Sequence, residues 1–316
     1  MKLITFDTLQ GHRHIGALLP GQREVADFTA AHDAAHFRGM LALIDGGERA
    51  LQHARAELAA ARVIHALANV KLCAPLPRPR QMRDFLVFEQ HVRQARANRH
   101  LLGIAGQPSD PAKVEVPRVW FQQPLYYKCN RFSVVGPDAD VIWPRYSKLI
   151  DYELEFGVVI GRTGKNIVRE IARSHIFGYC IFNDFSARDA QISEMQGQLG
   201  PAKGKDFDTG NAMGPWLVTA DEIVDPHALG MSARVNGQEW SRGSSSTMHH
   251  RFEDMIAHVS TDETLYAGEF LGSGTVGGGC GLELGRFLSP GDVIELEVDG
   301  LGVLRNRVLA PHLAQR

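Results

Sequence analysis

Apolar residues open the chain in short runs at Lys2–Phe6, Ile15–Leu19 and Glu24–Asp27, the lengths of strands. From about Gly47 to Asn69 the composition turns to Ala, Leu, Arg and Glu, which predicts a helical region. Cys73-Ala-Pro-Leu-Pro-Arg-Pro-Arg80 then places prolines where neither a helix nor a central strand can continue, so it reads as a linker. These patterns divide the chain into a small α+β unit over 1–72 and a larger domain over 73–316. In the larger domain Asp84-Phe-Leu-Val-Phe is strand-like, and Glu89–Arg99 has the pattern of a short helix with His91 near its start. Beyond Pro111, short strands alternate with Gly, Pro, Asn and Asp. Asn236-Gly237 and Asp299-Gly300 each sit between strand-like runs and predict hairpins, and Phe252–Ser260 predicts a helix. The fold class expected is mainly β with α/β elements, its larger domain curled or sandwiched.

Asp151-Tyr-Glu-Leu-Glu-Phe-Gly-Val-Val-Ile-Gly161 departs from an ordinary half-buried strand. Acidic residues at 151, 153 and 155 alternate with Tyr152, Leu154 and Phe156, so a strand sets three carboxylates on one face and three apolar anchors on the other. Two carboxylates about 4 Å apart repel by about 4 kcal/mol at an effective dielectric of 20. Solvation, partial protonation or a bound cation would each make the row tolerable. Oxygen-only donors favour a hard ion, Mg²⁺, Mn²⁺ or Ca²⁺, over zinc.

Composition narrows the function classes. The 316 residues suffice for one large or two modest domains, and 44% hydrophobic with 22% charged residues is the balance of an ordinary globular protein. A net charge of −2 gives no case for a nucleic-acid or membrane surface, and no apolar run approaches a membrane span. The four cysteines lie far apart with no CxxC pair, which weakens zinc-finger and disulfide-framework readings. With no signal-peptide pattern at the N-terminus, a cytoplasmic protein with reduced thiols is expected.

Other segments carry chemistry alongside a plainer role. Asn183-Asp-Phe-Ser-Ala-Arg-Asp189 follows an apolar strand at Ile176–Phe182, so Asp184 is placed either to complete a site or, with Ser186, to cap a short helix. Lys203-Gly-Lys-Asp-Phe-Asp-Thr-Gly210 is either a solvated loop or a source of a lysine for a developing oxyanion. His91 suits a general base, whereas His249-His250 reads as surface, because neighbouring side chains point apart. Gly272-Ser-Gly-Thr-Val-Gly277 matches G-x-G-x-x-G, but further glycines follow where a dinucleotide fold needs a helix. It remains a glycine-rich turn whose N–H groups and Thr275 hydroxyl suit an anionic group.

Asp151-Tyr-Glu-Leu-Glu, Gly178-Tyr-Cys-Ile-Phe-Asn-Asp-Phe-Ser-Ala-Arg-Asp189, Lys203-Gly-Lys-Asp-Phe-Asp-Thr, Gly214-Pro-Trp-Leu-Val-Thr219, Ser273-Gly-Thr275 and Pro290-Gly-Asp-Val-Ile-Glu-Leu-Glu occur in an order that resembles the fumarylacetoacetate hydrolase family. The resemblance covers roughly residues 73–310. It implies a C-terminal mixed β-roll or barrel-like domain, a small N-terminal α+β domain, a homodimer, a small-molecule oxo-acid substrate and a divalent metal, Mg²⁺ first, with Mn²⁺ or Ca²⁺ as alternatives. The implied metal ligands are Asp84, Glu153, Glu155 and Asp184, with Asp151 outside the set. His91 falls on the catalytic histidine, Lys205 and Gln191 on groups that donate to an oxyanion, and Tyr127, Gly274 and Thr275 on substrate contacts. In the 84–100 segment and the Gln122–Arg131 loop, Arg96, Arg99, Tyr126 and Tyr127 are the candidates for reaching a second carboxylate.

Two positions depart from the family's patterns. Leu86 stands where fumarylacetoacetase has a metal-site tyrosine, and Gln94 where acylpyruvase-type members carry a glutamate. The carboxylate partner of His91 is therefore open, with Glu283 and Glu89 as candidates. The implied reaction is metal-dependent hydrolysis of a C–C bond in a β-diketo or acylpyruvate-type acid from aromatic catabolism. The alternative is a lyase or isomerase of the same family: a 2-oxo acid decarboxylase, a hydratase or a 2-hydroxyhepta-2,4-diene-1,7-dioate isomerase.

Overall fold

A computed structural model describes residues 1–103 and 109–313. Its spine is a twelve-stranded mixed sheet with Ile176–Asp184 and Glu155–Ile160 side by side near the middle. On one side follow Phe270–Gly272, Met82–Phe85 and Tyr126–Lys128, and on the other Asn211–Thr219, Lys2–Asp7, Arg13–Leu18, Glu24–Asp27 and Ile64–Ala66. The N-terminal strands thus continue the central sheet, with Lys2 opposite Val218 and Leu3 opposite Leu217.

Both faces of this sheet are covered, and successive residues divide between them. Val158 joins a core with Phe156, Tyr179 and Phe252, while Val159 joins a second core with Phe182, Phe270, Leu43 and Ala54. On the face of the second core Gly157 is required, because a Cβ there would stand 2.3 Å from the Phe270 ring. The first core is closed by a five-stranded sheet of Gln238–Ser244, Gly230–Val235, Val293–Val298, Gly302–Leu309 and Asp140–Ile142, and by the helix Phe252–Ser260. Each fully buried side chain of this kind contributes about 1.5–3 kcal/mol. No helix among the described residues is long and apolar enough to cross a membrane.

Both hairpins form at Asn236-Gly237 and Asp299-Gly300, and the helix Phe252–Ser260 has the bounds its pattern predicts. The helical region expected up to Asn69 is shorter. It runs over Gly47–Ala60 and stops where Ala61 adopts a left-handed φ of +43°, after which Ile64–Ala66 pairs with the sheet. The β-branched Val63 and Ile64 side with the strand.

Candidate active site

The acidic stretch is not one continuous strand. Ile150–Asp151 pairs with Ser186–Ala187, Glu153 makes an isolated bridge to Cys280, and the central strand begins at Glu155. The alternation nevertheless holds, since Tyr152, Leu154 and Phe156 all enter the apolar core. Asp184 ends the neighbouring strand Ile176–Asp184. Asp84 comes from Met82–Phe85, where the register sets it between Gly272 and Tyr127. A Cβ on Gly272 would lie 2.4 Å from Asp84 Oδ1, so glycine makes room for that carboxylate.

Asp84, Glu155 and Asp184 converge, with one oxygen of each within 4.8 Å of the others. All three are buried. Burial first, and then the neighbouring Asp184, pushes the Asp84 carboxyl up to about 8. Burial and Asp84 raise Glu155 well above the carboxylate range, and burial raises Asp184 to about 6 against the pull of Lys205. Glu155 Oε2 and Asp184 Oδ1 are buried without a protein hydrogen-bond partner. Buried polar atoms are almost always satisfied, so these orphaned oxygens mark a place built for a group the chain does not supply. The oxygen-only donor set fits a hard divalent cation.

Glu153 stands apart from this trio. Its two oxygens are held by Arg188 Nη1 at 2.8 Å and Lys205 Nζ at 2.6 Å. Burial pushes its carboxyl up, but those two cations outweigh burial and hold it far below the usual range. Lys205 also donates to Asp184 Oδ2 at 2.6 Å and more weakly to the Asp184 carbonyl at 3.3 Å, so its ammonium protons are already engaged. Asp184 caps no helix: the following helix, Arg188–Met195, has Ala187 at its N-cap with no side-chain cap. Asp151 accepts from Arg188 Nε at 2.8 Å and from the Gly281 and Leu282 amides, which makes it a brace between two segments.

Beside the carboxylates, His91 Nδ1 lies 2.8 Å from Glu283 Oε1. Glu89, the other candidate partner, instead accepts from Arg93. Burial lowers the imidazole, but the Glu283 charge and hydrogen bond prevail and its pKa is raised. Glu283 is itself fixed by the Gly278 and Gly279 amides, and Gln94 Oε1 also accepts from Gly278. The N–H groups of the two glycines just beyond the Gly272–Gly277 turn therefore hold one of the protein's own carboxylates. The Gly274 amide likewise donates to Asp84 Oδ1 at 3.1 Å. With φ at +77° and a Cβ position 2.1 Å from the Phe85 carbonyl oxygen, Gly274 anchors Asp84 and is not a wall of the cavity. Thr275 Oγ1 donates to Glu155 Oε1 at 3.0 Å and Tyr127 Oη to Asp184 Oδ2 at 2.5 Å, so both expected substrate contacts also orient the acidic trio.

These groups floor a cavity of about 300 Å³. His91, Lys205, Gln191, Tyr127 and Thr275 line it, Leu86, Leu125, Ile192 and Met195 form apolar walls, and Arg96 and Arg99 stand among its lining. Arg188 Nη1 donates to Gln191 Oε1 at 3.0 Å. A guanidinium only donates, so Gln191 must present its oxygen there and keep its NH₂ for the cavity. Arg188 is the residue that reading the sequence passed over. It was visible in Ser-Ala-Arg-Asp, but only folding shows one buried guanidinium joining Asp151, Glu153 and Gln191. His249 is exposed as expected, whereas His250 is buried, its Nε2 2.8 Å from the Trp120 carbonyl oxygen.

The chain belongs to the fumarylacetoacetate hydrolase family: residues 81–309 match the family's C-terminal domain. The mitochondrial oxaloacetate tautomerase Fahd2a of Rattus norvegicus is 34% identical over 279 residues, 88% of this chain and 82% of that protein. The fumarylacetoacetate hydrolase of the psychrophile Exiguobacterium antarcticum superposes with a TM-score of 0.75 at 27% identity, covering 98% of this chain and 99% of that one. The maleylpyruvate hydrolase of Sphingobium sp. SYK-6, solved with manganese(II) and pyruvate, shares the fold with a TM-score of 0.73 at 24% identity, covering 98% and 99% of the two chains.

Proposed function

We propose that the protein is a divalent-metal-dependent hydrolase that cleaves a C–C bond in an acylpyruvate-type or other β-diketo acid. The observation that carries this reading is the buried His91–Glu283 pair beside the Asp84–Glu155–Asp184 trio. The trio would hold the cation, with Mg²⁺ proposed first, and Glu153 would act on it through Lys205. When bound, such an ion supplies Lewis-acid polarisation of a substrate carbonyl.

The chain's own residues do the rest. Glu283 accepts from His91 Nδ1–H, which leaves Nε2 as the basic nitrogen. His91 takes a proton from water, and the hydroxide oxygen bonds to the acyl carbon. Gln191 donates its NH₂ to the oxyanion that develops there. The C–C bond then breaks, its electron pair passing to the departing 2-oxo acid fragment as an enolate, which gains a proton. Lys205 balances the charge of Glu153 and Asp184 and holds both in place. Arg96 and Arg99 are proposed to meet a distal carboxylate of the substrate.

A second reading is favoured by the tautomerase named above, which matches most of this chain. Here the same base moves a proton at the carbon beside the carbonyl of a 2-oxo diacid and no C–C bond breaks. The two separate in one assay, in which purified protein with Mg²⁺ is given an acylpyruvate and, separately, enol-form oxaloacetate. Hydrolysis predicts two carboxylic acid products by NMR. Faster enol decay with no cleavage products would replace the hydrolase reading by the tautomerase one, and no effect on either substrate would sink both. A homodimer and a cytoplasmic location belong to the same proposal; the four free cysteines suit a reducing compartment.

A further inference from the structure

A second group of ligating side chains lies far along the chain from the cavity, in residues 28–60. The helix Gly47–Ala60 carries His53 and Glu57 one turn apart on its inner side, and the turn after the helix Phe28–Ala31 brings His32 and His36 against them. One ligand atom each of His32, His53 and Glu57 falls within 4.8 Å of the others. His36 Nε2 lies 2.8 Å from His53 Nδ1, and His53 Nε2 lies 3.5 Å from Glu57 Oε1.

Two features point to a ligand. The Glu57 side chain is only 3% exposed, and although Arg62 pairs with Oε1, Oε2 is buried without a hydrogen-bond partner. The 36–53 contact also couples the tautomers of the two imidazoles. If His53 Nδ1–H donates to His36, Nε2 keeps its lone pair toward Glu57 and His32, the arrangement by which a metal-binding histidine is oriented from behind. Two imidazoles and one carboxylate form a borderline donor set that suits Zn²⁺, with solvent as the fourth ligand beside exposed His32.

We propose that His32, His53 and Glu57 form a zinc-type transition-metal site, with His36 as its positioning residue, which clips the 32–36 turn to the helix Gly47–Ala60. The site is separate from the catalytic cavity and needs no role in turnover.

The test is a Zn²⁺ titration of the whole protein with Mg²⁺ in excess, followed by isothermal calorimetry and by metal analysis after dialysis. The wild type should bind one equivalent more than His53→Ala or the exposed-site variant His32→Ala. Taking the difference between proteins makes the count independent of any zinc entering the carboxylate trio. His36→Ala should keep the equivalent but weaken it by roughly 10–100-fold. Co²⁺ substitution should give visible d–d absorption that His53→Ala lacks, while all three variants retain wild-type turnover and cooperative unfolding. Equal zinc stoichiometry in wild type, His32→Ala and His53→Ala would overturn the proposal, whatever the outcome of the substrate assays.

Discussion

Two of the clusters of ligating side chains among the described residues, the Asp84–Glu155–Asp184 trio and the His32–His53–Glu57 group, are built in opposite ways. The trio of Asp84, Glu155 and Asp184 stands on three strands of one sheet, is wholly buried and offers only oxygen. The cluster of His32, His53 and Glu57 stands on a helix and a turn, is partly exposed and is mostly nitrogen. Strands fix the first before any ligand arrives, at the cost of gathering like charges away from water. Asp84, Asp151, Glu153, Glu155 and Asp184 are all buried there, with Lys205 and Arg188 as the buried cations among them. The second cluster asks less of the fold, because it gathers one carboxylate where the first gathers three. Charge strain thus marks the site that the fold is built around, and donor type separates the ion each would take.

The sharpest way to break this contrast is to neutralise the trio. Glu155→Gln should lose Mg²⁺-dependent activity by on the order of 10³-fold, in line with the several kcal/mol a Lewis-acid ion contributes. It should also raise the thermal stability of the metal-free protein at neutral pH, because a neutral amide avoids the cost of burying an acid whose pKa burial and Asp84 raise. Full activity without added metal would end the metal reading. His91→Ala comes next: hydrolysis should fall by about 10²–10⁴-fold with Mg²⁺ affinity unchanged, as read by calorimetry. Loss of both together would mean that His91 supports the site only structurally.

Glu283→Gln tests the sign of the pH dependence. Glu283 raises His91, so the base is protonated to a higher pH than a free imidazole. The pair's stabilising effect is accordingly complete below the ordinary histidine pKa and is lost as pH rises through the raised value. Removing the charge should shift the acidic limb of kcat/KM to lower pH while lowering its plateau. An unmoved limb would show that another group controls it. The smallest effect expected is for Arg99→Met at the exposed rim, a few-fold rise in KM for a diacid and none for a monoacid, since exposed charge pairs are worth about 0–1 kcal/mol.

Local signals carried far in this chain. The Asn-Gly and Asp-Gly turns and the helix at Phe252–Ser260 follow from neighbouring residues alone, and they form as read. The helix at Gly47–Ala60 ends although Ala61 and Arg62 carry no strong stop signal, because the strand that follows is stabilised by pairing with Glu24–Ala26. His250 reads as a surface residue from its neighbours, but Trp120, 130 positions away, supplies a carbonyl to its ring. The glycine-rich turn reads as open to a ligand, but its Gly274 amide goes to Asp84, and the Gly278 and Gly279 amides just beyond it go to Glu283.

By itself the sequence determined which donors this protein has and in what order: alternating carboxylates at 151–155, an acid after a buried strand, a histidine on a short helix and a lysine in a tight loop. Those are properties of residue type and period, and they survive without coordinates. Tertiary structure alone decided which of them meet. Glu153 and Glu155 are two residues apart on one face. Yet Lys205 and Arg188 hold the first ionised, while burial beside Asp84 lifts the second. Glu283 reaches His91 across 192 residues. Charge and burial depend on what packs nearby in space, and period along the chain is silent about that.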